Sequence, residues 1–351
     1  DRQVTDLNVA LFRLPVLIDI IEHRGRDLPS ELENKLDGAI RLALVGAERR
    51  WDEEIFDLHR DFKGYTNIFL LYILAHLLGG RYCEDERLTR CGVSEWRRWY
   101  SHIAYYGIDE FICGYFNTID FDALQRIHGA APNDRMRRQA LRVLDHISVI
   151  QHAATHPLLK LRVCGSARDK RRYLDGDALE GRTIDAGDRR ETHNRLAPFS
   201  GDNDYRPPAE IVDAYRNRSF PYSARGRATF VPFFYGTWQS EKAALGSRRD
   251  GKYFWQQMHC SAAAGESPTE REAAFIPGAY TIANGYVRQE AGRALCVFTR
   301  RVNTYLRTQA FASEEEIDDA FGDVGIGTTE GWEASTDGTR LTLSAYGHRL
   351  T

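Results

Sequence analysis

Residues 191–241 read ETHNRLAPFSGDNDYRPPAEIVDAYRNRSFPYSARGRATFVPFFYGTWQSE, and the fold class turns on what changes across them. Before this stretch apolar residues recur at the helical period. After about Arg227 they alternate with the period of a strand. Within it neither pattern holds. The stretch carries His193, Asn194, Arg195, Asp202, Asn203, Asp204, Tyr205, Tyr215, Arg216, Asn217, Arg218 and Tyr222. Turn-formers are interleaved: Pro198, Gly201, Pro207, Pro208 and Pro221. A connection this long is functional or disordered in most chains, and its aromatic residues argue against disorder. It reads either as an interdomain connector whose polar groups cap its neighbours or as part of a site. The density of His, Asn, Arg and Tyr favours the site.

Upstream, residues 1–190 read as helices. Ser30 with Glu33 forms a capping box. Behind it Leu32, Leu36, Ala39, Ile40, Ala43, Ala47 and Trp51 recur at helical spacing. Tyr65–Leu78 reads as a helix stopped by Gly79–Gly80. Ser94 caps Glu95–Tyr106, whose aromatic face is plain packing more often than a binding surface. Phe121–His128 is a short helix. Asn133 caps a long one, with Met136, Ala140, Leu144, Ile147 and Ile150 as its stripe. Connections are short, so consecutive helices should pack as antiparallel hairpins.

Downstream, strands are expected at Ala228–Tyr235, Tyr253–Cys260 and Arg293–Val302. Asp250–Gly251 marks a tight turn. A closing hairpin joins Trp332–Ser335 to Arg340–Tyr346, with Asp337–Gly338 as a type I′ turn. The expected fold is α+β and multidomain. Helical hairpins cover 1–190, the link and candidate site 191–226, and an antiparallel β-domain 227–351. The chain ends at Thr351 directly after a strand, which points to a β-domain cut short.

Bulk properties exclude several classes. A net charge of −3 provides no field for nucleic acid or for a membrane surface. No apolar run approaches the roughly 18 residues of a membrane helix. The six cysteines at 83, 91, 113, 164, 260 and 296 lack zinc spacing. Cys83 and Cys91 could bridge a short loop; six unpaired thiols of a reducing compartment fit equally well. His152 and His156 share a helix face only if the helix runs past Pro157. As metal ligands they would need a third partner, so cap or solvent histidines are the plainer reading. There is no Walker loop, GxGxxG, GxSxG or HExxH, and no metal or cofactor is expected.

The remaining polar clusters are rich in Tyr, His, Asn and Arg. They suit abstraction of a proton beside a uronate carboxylate. Such β-elimination needs a base, an amide or guanidinium to hold the carboxylate, and an acid for the leaving oxygen. His193, Asn194 and Tyr205 are the candidate catalytic residues, with Tyr205 or His193 as base or acid. Arg195, Tyr115, Asn117, Tyr235, Trp238 and Arg216 are the candidate substrate-binding residues. Asn194 and Arg195 would hold the carboxylate, while Trp238, Tyr235 and Tyr115 would stack on sugar rings. Hydrolysis would instead need paired carboxylates, for which Glu110, Asp204 and Glu241 are the candidates. A non-catalytic carbohydrate-binding or structural protein would carry the same aromatics without a working acid/base pair.

Helical hairpins, then a His-Asn-Arg-Tyr-rich link, then an antiparallel β-domain resemble the α/α-toroid plus β-sandwich polysaccharide lyases. The heparinase II/III and alginate lyase relatives are nearest in type. The resemblance is one of architecture over the whole chain. It implies a toroid-like helical domain, a β-sandwich-like domain, and an enzyme acting on an acidic polysaccharide. It also implies an Asn, a His and a Tyr at the groove, for which Asn194, His193 and Tyr205 are similar in kind. A polymer substrate, with a first residue that is Asp1 rather than Met, favours a secreted or periplasmic protein. The oligomeric state is not legible in the sequence.

Overall fold

The computed structural model describes residues 8–52, 66–106, 108, 114–163, 205–227, 234–249, 258–267, 270–277, 284–290, 292–299, 327–328, 333–336, 341–345 and 348–350. Its N-terminal part is helix-rich and its later part is antiparallel sheet. Two compact units result. Of the described residues, those up to 108 with 116–147 and 205–207 form one; 114–115, 148–163 and 208–350 form the other. The division falls inside a helix, between Ile147 and Ser148. The expected boundary near 190 lies outside the described residues.

The helices are α1 Asn8–Arg24, α2 Ser30–Asp52, α3 Thr66–Tyr82, α4 Glu86–Tyr106, α5 Gly114–Ala130 and α6 Asp134–Ala154, all of the helical unit except 114–115 of α5 and 148–154 of α6. Every residue of α3 from Thr66 to Gly80 is buried. A helix that is apolar all round has to be enclosed by others. Leu44 of α2 and Thr89 of α4 reach α3 at Gly79 and Gly80. This corrects the expectation that the glycine pair ends the helix. A Cβ on Gly79 would stand 2.3 Å from Leu44 Cδ2, and one on Gly80 2.3 Å from Thr89 Oγ1 and 2.8 Å from the Thr89 backbone nitrogen. The glycines are close-approach points, and the helix runs on to Tyr82.

Other boundaries move for equally local reasons. α4 starts at Glu86 and not at Glu95, because Asp85 Oδ1 accepts from the Arg87 and Leu88 N–H groups at 2.8 and 3.4 Å. The Pro29 carbonyl accepts from Leu32 and Glu33, so α2 already includes Ser30. On α2 the buried residues are Ile40, Leu44 and Ala47, while Leu32 is exposed. α5 is longer than the expected Phe121–His128. For α6 the reading holds: Asn133 Oδ1 accepts from Met136 N–H at 3.0 Å, and Met136, Ala140, Leu144, Ile147 and Ile150 are buried. Trp96 and Trp99 are buried as well, with Trp96 Nε1–H donating to Gln139 Oε1 at 2.9 Å. Cys83 and Cys91 are both free thiols.

In the β-unit, β1 (Thr155–His156) and β2 (Leu161–Arg162) pair antiparallel within the span expected to be helical. α7 is Ala209–Arg216. Then come β3 (Tyr222–Arg227), β4 (Phe234–Gln239), β5 (Ala243–Arg249), β6 (Met258–Gly265) and β7 (Arg271–Pro277). With β10 (Gly327–Thr328) they make an antiparallel sheet of order β10-β7-β6-β5-β4-β3. β8 (Asn284–Glu290) pairs with β9 (Arg293–Thr299), whose start matches the expected strand. This hairpin lies against the sheet: Gln289 Nε2–H donates to the Leu245 carbonyl at 3.0 Å, and Arg225 Nη2–H to the Gln289 carbonyl at 2.9 Å. β11 (Glu333–Thr336), β12 (Leu341–Ala345) and β13 (His348–Leu350) form a separate antiparallel sheet. Thr336 faces Leu341 there, two residues beyond the partner that a two-residue Asp337–Gly338 turn would give it. The Asp250–Gly251 turn lies outside the described residues. Among the described residues no helix is long and apolar enough to cross a membrane.

Candidate functional site

Tyr205 is the expected catalytic residue that the described chain contains. The two prolines that follow it, Pro207 and Pro208, hold the chain extended up to α7. Pro207 is buried, which anchors the segment. The Tyr205 N–H donates to Gln125 Oε1 of α5 at 3.3 Å. Its ring stands 6.0 Å from Phe121, tilted by 46°. Its hydroxyl donates to Asp145 Oδ1 of α6 at 2.8 Å. Tyr205 and Asp145 are both half-buried. A phenol in hydrogen-bond contact with a carboxylate, partly open to solvent, can carry a proton between an external group and the acid.

A second polar cluster sits in the β-unit at the end of α6. The last carbonyls of any helix lack partners within it. Here Arg218 and Gln239 supply them. Arg218 Nη2–H donates to the His152 carbonyl at 2.7 Å, and Nη1–H to the Thr155 carbonyl and to Gln239 Oε1, both at 2.7 Å. Gln239 Nε2–H donates to the Ala153 carbonyl at 3.2 Å. The guanidinium lies 4.0 Å over the Tyr222 ring and 5.4 Å from that of Tyr215. Its charge complements the negative helix end. Burial lowers its pKa from the usual arginine value.

His156 completes this cluster and is fully buried. Its Nδ1 accepts from the Leu158 and Leu159 N–H groups at 3.2 and 3.0 Å. Nε2 must then carry the proton, and it donates to the Ser240 carbonyl at 2.7 Å. Phe220 stacks on the ring at 5.1 Å. Burial pushes the imidazole down to about 4. His152 Nδ1–H donates to the Ser148 carbonyl at 2.7 Å, so both histidines work within the fold. Among the described residues no group of His, Cys, Asp or Glu could hold a metal ion. Arg218, His156 and Gln239 spend their hydrogen bonds chiefly on backbone, which makes the cluster a structural lock.

The other candidates divide as follows. Arg216 is exposed at the end of α7. Trp238 is half-buried, and the Gly292 backbone covers one indole face, since a Cβ there would stand 3.4 Å from three ring atoms. Glu241 is exposed in the β4–β5 turn. These three belong to the β-unit and Tyr205 to the helical unit. Tyr115 and Asn117 stand on α5 and Tyr235 on β4, with side chains outside the described set. Glu110, His193, Asn194, Arg195 and Asp204 lie outside the described residues. Asp145 and Gln125 were not singled out from sequence. Asp145 stands beside Leu144 of the apolar stripe, a position that signals a charged group near a core without naming its partner.

Compared with family models, with curated proteins and with solved structures, the chain matches none of them.

Proposed function

We propose that this chain is a carbohydrate-active enzyme, a polysaccharide lyase that cleaves an acidic polysaccharide by β-elimination. The observation that carries the reading is the 2.8 Å hydrogen bond from the Tyr205 hydroxyl to Asp145, both half-buried. The order of elements, helices and then antiparallel sheet, supports the toroid-like and sandwich-like architecture that goes with this activity. A fold analogy carries no function alone, so the proposal rests on the proton-transfer pair.

In this reading Tyr205 takes the proton α to the uronate carboxylate as its own hydroxyl proton moves to Asp145. The carbanion electrons form the ring double bond and expel the glycosidic oxygen. Tyr205 returns a proton to that oxygen as Asp145 gives its proton back. Asn194 and Arg195 neutralise the substrate carboxylate, and His193 is the alternative acid or base. Asn117, of the same unit as Tyr205, extends the contact to the sugar chain.

The test is incubation of the full chain with alginate, polygalacturonate and heparan sulfate, following ultraviolet absorbance and reducing ends together. Elimination leaves a conjugated, absorbing unsaturated uronate with each new end. Reducing ends without absorbance would instead mark a hydrolase on the same scaffold, with Glu110, Asp204 and Glu241 as its carboxylates. Neither signal on any polymer would leave a non-catalytic carbohydrate-binding or structural protein. Asn194→Ala should lower turnover about a hundredfold, as expected for loss of one oxyanion-type donor.

A further inference from the structure

His156 has a bonding pattern that only one protonation state satisfies. Its two ring nitrogens face backbone groups of opposite polarity. Nδ1 meets two N–H donors, from Leu158 and Leu159, and Nε2 meets the Ser240 carbonyl. The residue ties two places far apart in the chain. On one side are β1 and the turn into β2, closed by the Lys160 N–H on the His156 carbonyl at 2.9 Å. On the other is the β4–β5 turn, where the Ser240 N–H donates to the Ala243 carbonyl at 2.8 Å.

The charged surroundings oppose a second proton. Arg218, held on the Thr155 carbonyl one residue away, acts on the ring as a cation. The β1–β2 turn carries Lys160, whose Nζ lies 5.3 Å over the Tyr215 ring, and β2 carries the buried Arg162, opposite Thr155. From the helix end, His152 is turned to the Ser148 carbonyl and to Tyr215. From the β4–β5 turn, Glu241 is exposed and forms no bond to the ring. Among the described residues no carboxylate compensates an imidazolium here.

We propose that His156 is an acid-released latch: neutral, it pins the β1–β2 hairpin to the β4–β5 turn, and a proton on Nδ1 drives the ring out of its corner and so breaks that contact. An N–H at Nδ1 would point at the two backbone donors that Nδ1 accepts from in the neutral ring, beside the Arg218 guanidinium. The corner then opens locally and exposes the ring to water. This device is independent of the lyase reading, because none of its groups takes part in the proposed chemistry.

The test is amide hydrogen exchange of the full chain between pH 7 and pH 4.5, corrected for the intrinsic rate, in peptides covering 156–162 and 239–243. With the imidazole at about 4 when closed and at an ordinary value when open, the open population should rise on the order of fiftyfold over that range. His156→Asn keeps an acceptor for Leu158 and Leu159 but does not titrate, and its exchange should stay flat. A wild-type rise of less than about threefold, or an equal rise in His156→Asn, would overturn the proposal. Should that variant fail to fold, ring-nitrogen shifts of wild-type protein labelled with ¹⁵N-histidine decide. A neutral Nε2–H tautomer kept below pH 5 supports the latch, and titration at an ordinary histidine pH overturns it.

Discussion

Replacing Arg218 with methionine removes one side chain and three hydrogen bonds at once. The His152 and Thr155 carbonyls and Gln239 Oε1 all lose their donor. Hydrogen bonds to charged groups contribute about 1.5–3 kcal/mol each, and buried acceptors left unpaired add to the loss. Removing the buried cation offsets part of it, since burial disfavours the charge at this site. The expected net cost of Arg218→Met is about 3 kcal/mol, read by chemical denaturation of the β-unit. Arg218→Lys keeps the charge but presents one nitrogen where three acceptors are spread over two carbonyls and an amide, so it should recover less than half of the loss. An unchanged midpoint in Arg218→Met would mean that water replaces the guanidinium at the helix end.

At the scale of elements, α3 is the clearest case of what sequence periodicity can and cannot convey. Its apolar run was visible, but Gly79 and Gly80 looked like a stop. Their role depends on Leu44 and Thr89, which approach from two other helices. Nothing local to the pair reveals them. Gly80→Ala is therefore expected to destabilise the helical unit by about 1–3 kcal/mol, although alanine is the better helix former by about 1 kcal/mol. The Thr89 backbone nitrogen at 2.8 Å from the added carbon cannot rotate aside as a side chain would. Thermal unfolding of the variant checks this, and a raised midpoint would contradict it. Where the determinant is local, the sequence was enough: Asn133 caps α6, and the α6 stripe is the buried face. The Asp85 cap was equally local, but the later Ser94–Glu95 pair competed for the same reading. The closing hairpin was legible as two strands. Its register was not, because Thr336 pairs with Leu341 across a longer connection than Asp337–Gly338 suggests.

For the whole molecule, pH and catalysis give separate tests. An unfolded histidine takes up its proton near pH 6.5, whereas His156 in the folded chain does so at about 4. Between these values the unfolded state binds more protons, so stability is full above pH 6.5 and falls as the pH drops toward 4. His156 alone should remove about 3 kcal/mol over that window. Burial also lowers the pKa of His76, whose Nδ1–H donates to the Tyr72 carbonyl at 2.9 Å, and it acts in the same direction. Denaturation midpoints that hold constant from pH 7 to pH 4 would contradict both assignments. The candidate site was legible to the extent that Tyr205 stood out among turn-formers and polar neighbours. Its partners were not, since Asp145 and Gln125 lie on helices 60 and 80 residues earlier in the chain. Only folding brings them to the phenol. The central claim, that Tyr205 transfers the proton in a β-elimination, is tested most directly by the initial rate of unsaturated-product formation with Tyr205→Phe. Removing the hydroxyl should lower that rate at least about a hundredfold, as for loss of a general acid or base. The midpoint of unfolding should fall by no more than about 3 °C, for loss of one hydrogen bond. A Tyr205→Phe variant that forms the product at the wild-type rate would contradict the claim.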